Sequence, residues 1–415
     1  MNKKAVAIAI AGALGAPAVA LAQSSTVQVF GTMYVEYSFL VDQGNNVAGV
    51  EKSKADFIQA PGSEVGFKGE EKLGGGLSMW FQCTSTADPR GISQEGGCSR
   101  NSALGLKGAF GNLFFGNWDT PSKRTMGPLN VGGNDTGIWG TAFLLTGGST
   151  TTAWPGAAAG SAASAGRGIF RRRQNSSINY DSPNFGGFQV MAAMTASQPS
   201  TGTLDAANNA KPRIISIGAQ YSAGPLYVGA SYQVHKDANG PTVVPVVAGS
   251  AREGDDSAWH LGAAYTWGPV KFGGYYTRQK VELGTVAAPT EVRYRAWTMG
   301  IDWKIVGPHG MKAAYTRAQD TKGTPGAAFP GGVAGSGVVR PGVAPLGVSN
   351  DNGAKLYQIR YVYTFSKRTE FNFGYSKLDN DSVGTYNLGG LTGGPAALQP
   401  GTNQHAWAMA VRHTF

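Results

Sequence analysis

The chain has only two cysteines, five histidines and 14% charged residues. Beyond its N-terminal segment no apolar run approaches the ~20 residues that a membrane-spanning helix requires. Each shortage excludes something. The histidines (His235, His260, His309, His405, His413) fall in no HExxH pattern, and neither a G-x-S-x-G elbow nor a phosphate-binding P-loop occurs among the glycines, so nothing calls for a cofactor or a metal. Cys83 and Cys98 form no CxxC and have no nearby histidine, which favours a disulfide in an oxidising compartment over a metal or redox site. The basic surplus, +10, has one compact run, Arg171 to Arg173, with no helix motif, zinc spacing or aromatic platform around it, so a nucleic-acid partner is not expected.

The first residues, MNKKAVAIAIAGALGAPAVALAQ, combine Lys3 and Lys4 with an apolar run and a small-residue site, Ala20-Leu21-Ala22. This is the pattern of a secretory signal peptide over residues 1–22, leaving 23–415 as one exported domain with a formal charge of +8.

What the chain does have is glycine (62), tyrosine (16) and phenylalanine (18), with two-residue alternation along many segments. TVQVFGTMYVEYSFL sets Val29, Met33, Val35, Tyr37 and Phe39 against Gln28, Thr32, Tyr34, Glu36 and Ser38. LYQIRYVYTF and SAWHLGAAYTW repeat the pattern, as does the terminal HAWAMAVRHTF, with Trp407, Met409, Val411, His413 and Phe415 on one face. A soluble sandwich also alternates, but large faces rich in Tyr, Trp and Phe near strand ends suit a lipid-facing barrel wall.

Short turns (70–76, 108–111, 181–187, 222–225, 267–269, 307–310, 366–368) alternate with long loops near 41–61, 88–99, 119–170, 198–211, 237–256, 282–291, 321–353 and 380–403. Seven short and eight long connections join sixteen strands. The expected fold is all-β, a transmembrane antiparallel barrel whose last strand pairs with its first. That closure places Phe415 at the periplasmic membrane interface.

The segments SEVGFKGEEKLGGGL (63–77), RNSALGLKGAFGNLFFGNWDTP (100–121), RQNSSINYDSPNFGGFQV (173–190) and the final VRHTF resemble the general porins of the Gram-negative outer membrane. The resemblance implies a homotrimer of sixteen-stranded barrels among outer-membrane lipids and lipopolysaccharide, each pore narrowed by a third loop folded inward, here 119–170. It also implies that Phe415 is read by the barrel-assembly machinery, that the second loop, bearing Cys98, reaches a neighbouring subunit, and that Arg100 and Arg173 match pore-wall arginines. Where many relatives have Ser-Arg-x-Gly-Phe-Lys-Gly, this chain has Ser63-Glu64-Val65-Gly66-Phe67-Lys68-Gly69, which reverses one charge.

Strand parity points Glu64, Lys68, Arg171, Arg173, Asn175, Asn179, Lys107, Lys271, Lys312, Arg360 and Arg412 inward, with Glu36 the other clear inward acid. The parity of Arg100 is outward unless a loop or bulge turns it. Arg171, Arg173, Arg100, Glu64, Lys68, Asp119 and Asp135 are the expected constriction residues. The expected function is passive diffusion of ions and small hydrophilic solutes with an anion preference. The alternatives are a substrate-selective, occluded channel, a barrel hydrolase built on Ser257 and His260, and a soluble periplasmic binding protein.

Overall fold

The computed structural model describes residues 27–43, 54–91, 96–133, 137–141, 145, 170–195, 213–236, 255–284, 289–325, 350–384, 386–388 and 400–415. The expected signal peptide and Asp135 lie outside the described residues.

Sixteen strands form the wall. Strand β1 is Gln28–Gln43, and β2 runs in two segments, Lys54–Gln59 and Glu64–Gly74. Then come β3 Leu77–Thr86, β4 Ser102–Gly108 and β5 Gly111–Asp119. After the third long loop follow β6 Arg173–Asp181, β7 Phe188–Thr195, β8 Arg213–Ala223 and β9 Leu226–Lys236. The remainder are β10 Asp256–Trp267, β11 Val270–Gly284, β12 Pro289–Val306, β13 His309–Ala318 with its extension Lys322–Gly323, β14 Ala354–Thr364, β15 Thr369–Asn380 and β16 Asn403–Thr414. Every neighbour pair is antiparallel, and β1 pairs with β16 from Thr32↔Thr414 to Gln43↔Asn403, so the sheet closes.

The seam accounts for the terminal phenylalanine. Gly31 and Phe415 exchange both backbone hydrogen bonds at 3.0 Å. A Cβ on Gly31 would stand 2.6 Å from the Phe415 ring, so only glycine leaves the ring its place.

Two expected loops are shorter than the turn residues suggested. Lys54–Gln59 already pairs with β1, and the break after it falls at Ala60-Pro61-Gly62-Ser63, where proline lacks a donor and Gly62 has φ 76°. Ser63 Oγ repairs the ladder there, accepting from Tyr34 N and donating to Tyr34 O, both at 2.9 Å. The expected loop 282–291 is mostly ladder, because β11 and β12 continue to Gly284↔Pro289, with Val281 opposite Val292 and both buried.

The faces separate as alternation predicts. Trp407, Met409 and Val411 are each nearly half exposed, while Ala406, Ala408 and Ala410 between them are buried. A continuous outward band that includes Phe67, Phe115, Ile217, Leu261, Met299 and Ile359 is far more apolar surface than a soluble domain presents, and it suits hydrocarbon. The soluble readings fail here.

Cys83 takes the outward parity of Phe81 on β3 and is joined to Cys98 in the second long loop. A cross-link over fifteen residues restricts the unfolded chain by about 3 kcal/mol. The double variant Cys83→Ser, Cys98→Ser is therefore expected to keep the folded, heat-shiftable gel band and to lose about that much stability to denaturant. An unchanged denaturation midpoint would contradict a stabilising cross-link.

Candidate functional site: the pore lumen and its loop

The third long loop leaves β5 and turns inward at once. Thr120 caps a short helix, α1 (Pro121–Met126), with Pro121 at its first position. Helix α1 presses on the inner wall: Ser122 N donates to Ser216 Oγ (3.2 Å), its Oγ lies 3.2 Å from Ser231 Oγ, and Tyr227 OH donates to Thr125 O at 2.9 Å. The approach needs a wall without side chains. A Cβ on Gly218 would lie 2.8 Å from Thr125, and one on Gly300 only 1.8 Å from Val131 O.

Beyond α1 the loop crosses the lumen, its backbone bonded by wall side chains. Lys271 Nζ donates to Pro128 O (3.1 Å), Gln358 Nε2 to Ile138 O (3.2 Å) and Gln279 Nε2 to Leu145 O (2.8 Å). Trp139, fully buried, lies under the Arg360 guanidinium at 5.3 Å. On the far side the buried Glu36 carboxylate accepts from Ile138 N (3.0 Å), Tyr34 OH (2.8 Å), Ser38 Oγ (2.9 Å) and Gln59 Nε2 (2.5 Å). Glu36, read from parity as a lumen charge, is in fact the anchor of the loop.

The loop's return is stapled to its start, since Thr120 N and Oγ1 both donate to Arg172 O at 2.9 and 3.1 Å. Phe170 is buried and stacks on His235 at 4.4 Å. Arg171 and Arg172 are buried beside it, Arg171 near His260 and Arg172 near His235. Burial pushes the Arg172 guanidinium down to about 10, which leaves it charged at neutral pH.

The charged residues expected from sequence fall into pairs. Glu64 accepts from Arg100 Nε at 2.6 Å. Asp119 receives Lys123 at 3.0 Å and Arg173 at 3.3 Å, and Asn101 bonds both Asp119 and Arg173. Arg100 reaches Glu64 across an irregular start of β4, where Ser102 Oγ, like Ser63 Oγ, accepts from a ladder N–H, here that of Thr84 (2.9 Å). On β6 the alternation is interrupted as well: Ser176 has φ 50° and the register shifts opposite Gly116 and Trp118, so Gln174 shares the buried side with Ser177 and Asn179, while Asn175 and Arg173, expected inward, take the other ladder parity, Arg173 beside Asp119 at the strand's end. Lys68 lies apart, its ammonium 5.1 Å from the Phe30 ring. Arg124, a third-loop cation in the sequence, grips a partner that sequence reasoning missed, Asp181, with two hydrogen bonds of 2.8 and 2.7 Å. It also missed the ring cluster Trp80, Phe114 and Trp118; the shared parity of Trp80, Gln82 and Thr84 was the available signal. Ser257 and His260 stand on opposite faces of β10, so they form no catalytic pair.

A closed sixteen-stranded wall, apolar outside and polar within, with a loop bonded across its interior, is an outer-membrane barrel pore. A model of the Gram-negative porin family matches residues 5–383, and the chain belongs to that family. It is 26% identical to outer membrane porin protein 32 of Delftia acidovorans over 420 residues, the whole of both chains. It is 35% identical to the major outer membrane protein P.IB of Neisseria meningitidis over 133 residues, 31% of this chain and 37% of that one. Among solved structures, an anion-selective porin from Comamonas acidovorans superposes with TM-score 0.66 at 20% identity, covering 94% of this chain and all of the other. The trimer form of the Vibrio cholerae outer-membrane protein OmpT does so at 0.59 and 16%, covering 95% and 100%. Family and fold make this an outer-membrane channel for passive diffusion, and they point to a channel rather than to an enzyme.

Replacing Glu36 with Ala leaves Ile138 N and the Tyr34 hydroxyl without their acceptor, a loss of about 3 kcal/mol for a buried charged hydrogen-bond centre. The expected outcome is an intact barrel whose third loop becomes protease-sensitive and whose single-channel current grows noisier. Unchanged cleavage and noise would mean that Glu36 does not hold the loop.

Proposed function

We propose that the chain works as a homotrimer that lets ions and small hydrophilic solutes cross the outer membrane, with a preference for anions. The observation that supports the preference is the charge around the narrowing. Among the described residues, the cations Arg100, Lys123, Arg124, Arg171, Arg172 and Arg173 face the acids Glu64, Asp119 and Asp181, six against three. Each acid already holds at least one cation, so the surplus field in the low-dielectric wall is positive. The trimer reading is supported by the Vibrio relative's trimer form.

In the same reading, residues 119–170 form the constriction loop, residues 1–22 are removed on export, and lipids with lipopolysaccharide surround the wall. Phe415, still 39% exposed at the seam, is available to the assembly machinery. The charge reversed at Glu64 weakens the preference without inverting it, because Arg100 neutralises it.

At ~6 Å and an effective dielectric near 20, one unit charge changes the energy of a passing ion by roughly 3 kcal/mol before salt screening. In asymmetric KCl, Arg173→Glu is expected to shift the reversal potential toward cations and Glu64→Gln toward anions, several-fold in permeability ratio each. Arg412→Glu, on the inner face near the periplasmic mouth, should do less. If Arg173→Glu leaves the reversal potential unaltered at low salt with the barrel intact, the selectivity lies elsewhere.

A further inference from the structure

The inner wall of β2 to β5 carries a feature that ion passage does not need. Lumen-facing positions of a water-filled barrel are ordinarily polar, yet Trp80, Phe114 and Trp118 meet there in one cluster. Their ring centroids are 5.3 to 5.7 Å apart, tilted at 56 to 72°. The wall is shaped for it: a Cβ on Gly105 would stand 2.4 Å from Trp80 Nε1, and Asn112 Oδ1 accepts from that nitrogen at 2.7 Å. Trp80 is thereby locked in orientation. Trp118 is only partly buried and its indole N–H bonds to no described residue.

Beside the rings lies a cavity of about 490 Å³, lined by Trp80, Trp118, Lys68, Glu70, Lys107 and Asn112 among others. Its charges are unequal. Glu70 is held by Lys72 at 3.0 Å and by Lys107 at 3.1 Å, and the Lys107 ammonium also lies 5.3 Å from the Trp80 ring. Lys68 forms no ion pair among the described residues; its ammonium rests near the Phe30 ring. Asn112 uses its carbonyl oxygen on Trp80, which leaves its amide N–H groups for another acceptor.

We propose that this cavity is a binding site for planar aromatic carboxylates. The ring faces offer offset or edge contact to a flat aromatic body, while Lys68 and the Asn112 amide receive the carboxylate through charge-assisted hydrogen bonds. A small aliphatic acid would use only the second half of the site and a neutral aromatic only the first. The site deepens the channel reading, because it would hold one class of anion within the lumen. It rests on that reading only for its role, not for its existence.

Fluorine NMR of the folded, detergent-solubilised protein tests it without requiring any current. 4-Fluorobenzoate is the probe, with trifluoroacetate carrying the charge alone, 4-fluorobenzyl alcohol the ring alone, and protein-free micelles as the blank. The expected result is saturable broadening of 4-fluorobenzoate that unlabelled benzoate reverses, with affinity at least tenfold above either control probe. Trp118→Ala and Lys68→Gln should each weaken it at least fivefold while the heat-shiftable band persists. Equal affinity for trifluoroacetate and 4-fluorobenzoate, or binding unchanged in both variants, would overturn the proposal. Benzoate bound by a folded barrel that carries no KCl current would instead count against the channel reading and leave the site standing.

Discussion

In hydrocarbon no water can satisfy a backbone N–H or C=O, and a sheet that spans it must therefore close. The pairing of β1 with β16 meets that demand here, and much else follows from it. It fixes an even strand count with both termini on one side, brings Phe415 against Gly31, and divides every strand into one lipid face and one inner face. The interior is then a space bounded by polar side chains, whose contents are whatever the loops send into it.

The same rule governs the loop inside. A segment with its own unpaired backbone groups lies in a barrel only where the wall bonds it, and the wall does so with side chains from opposite sides: Tyr227, Lys271 and Gln279 on one flank, Gln358 and Glu36 on the other. Several inward charges that look like pore charges in the sequence are spent on this task. Lys271 bonds the loop backbone, Arg360 covers Trp139 and Glu36 receives Ile138. The charges left around the opening are those of the loop's two ends and of β2 to β6, where basic groups exceed acids.

The wall was readable from sequence because lipid and lumen impose a period of two over many segments, with Tyr, Trp and Phe on the large face where a sandwich would favour Val, Leu and Ile. Trp407, Met409 and Val411 against Ala408 and Ala410 is the plainest case. Most short turns lie where glycine or proline marks them, although the expected turn 70–76 narrows to Gly75-Gly76 because the ladder continues to Gly74↔Leu77, and Cys83 pairs with Cys98 as their isolation suggested. Parity misleads where the ladder is irregular: one extra residue at Ser176 moves Asn175 off the buried side, and the hydroxyls of Ser63 and Ser102 replace ladder bonds that an unbroken strand would make. Long-range partners leave no local trace at all. Nothing near Glu36 in sequence announces Ile138, a hundred residues away, and nothing near Arg124 announces Asp181.

The central claim is that water and ions pass through the lumen beside the anchored loop. Its most direct test is the current carried by the purified, folded wild-type protein in a planar lipid bilayer bathed in symmetric KCl. The account predicts ohmic openings that appear in stepwise conductance increments and persist at low voltage. A correctly folded, heat-shiftable barrel that inserts into the bilayer and yields no stepwise conductance would contradict it.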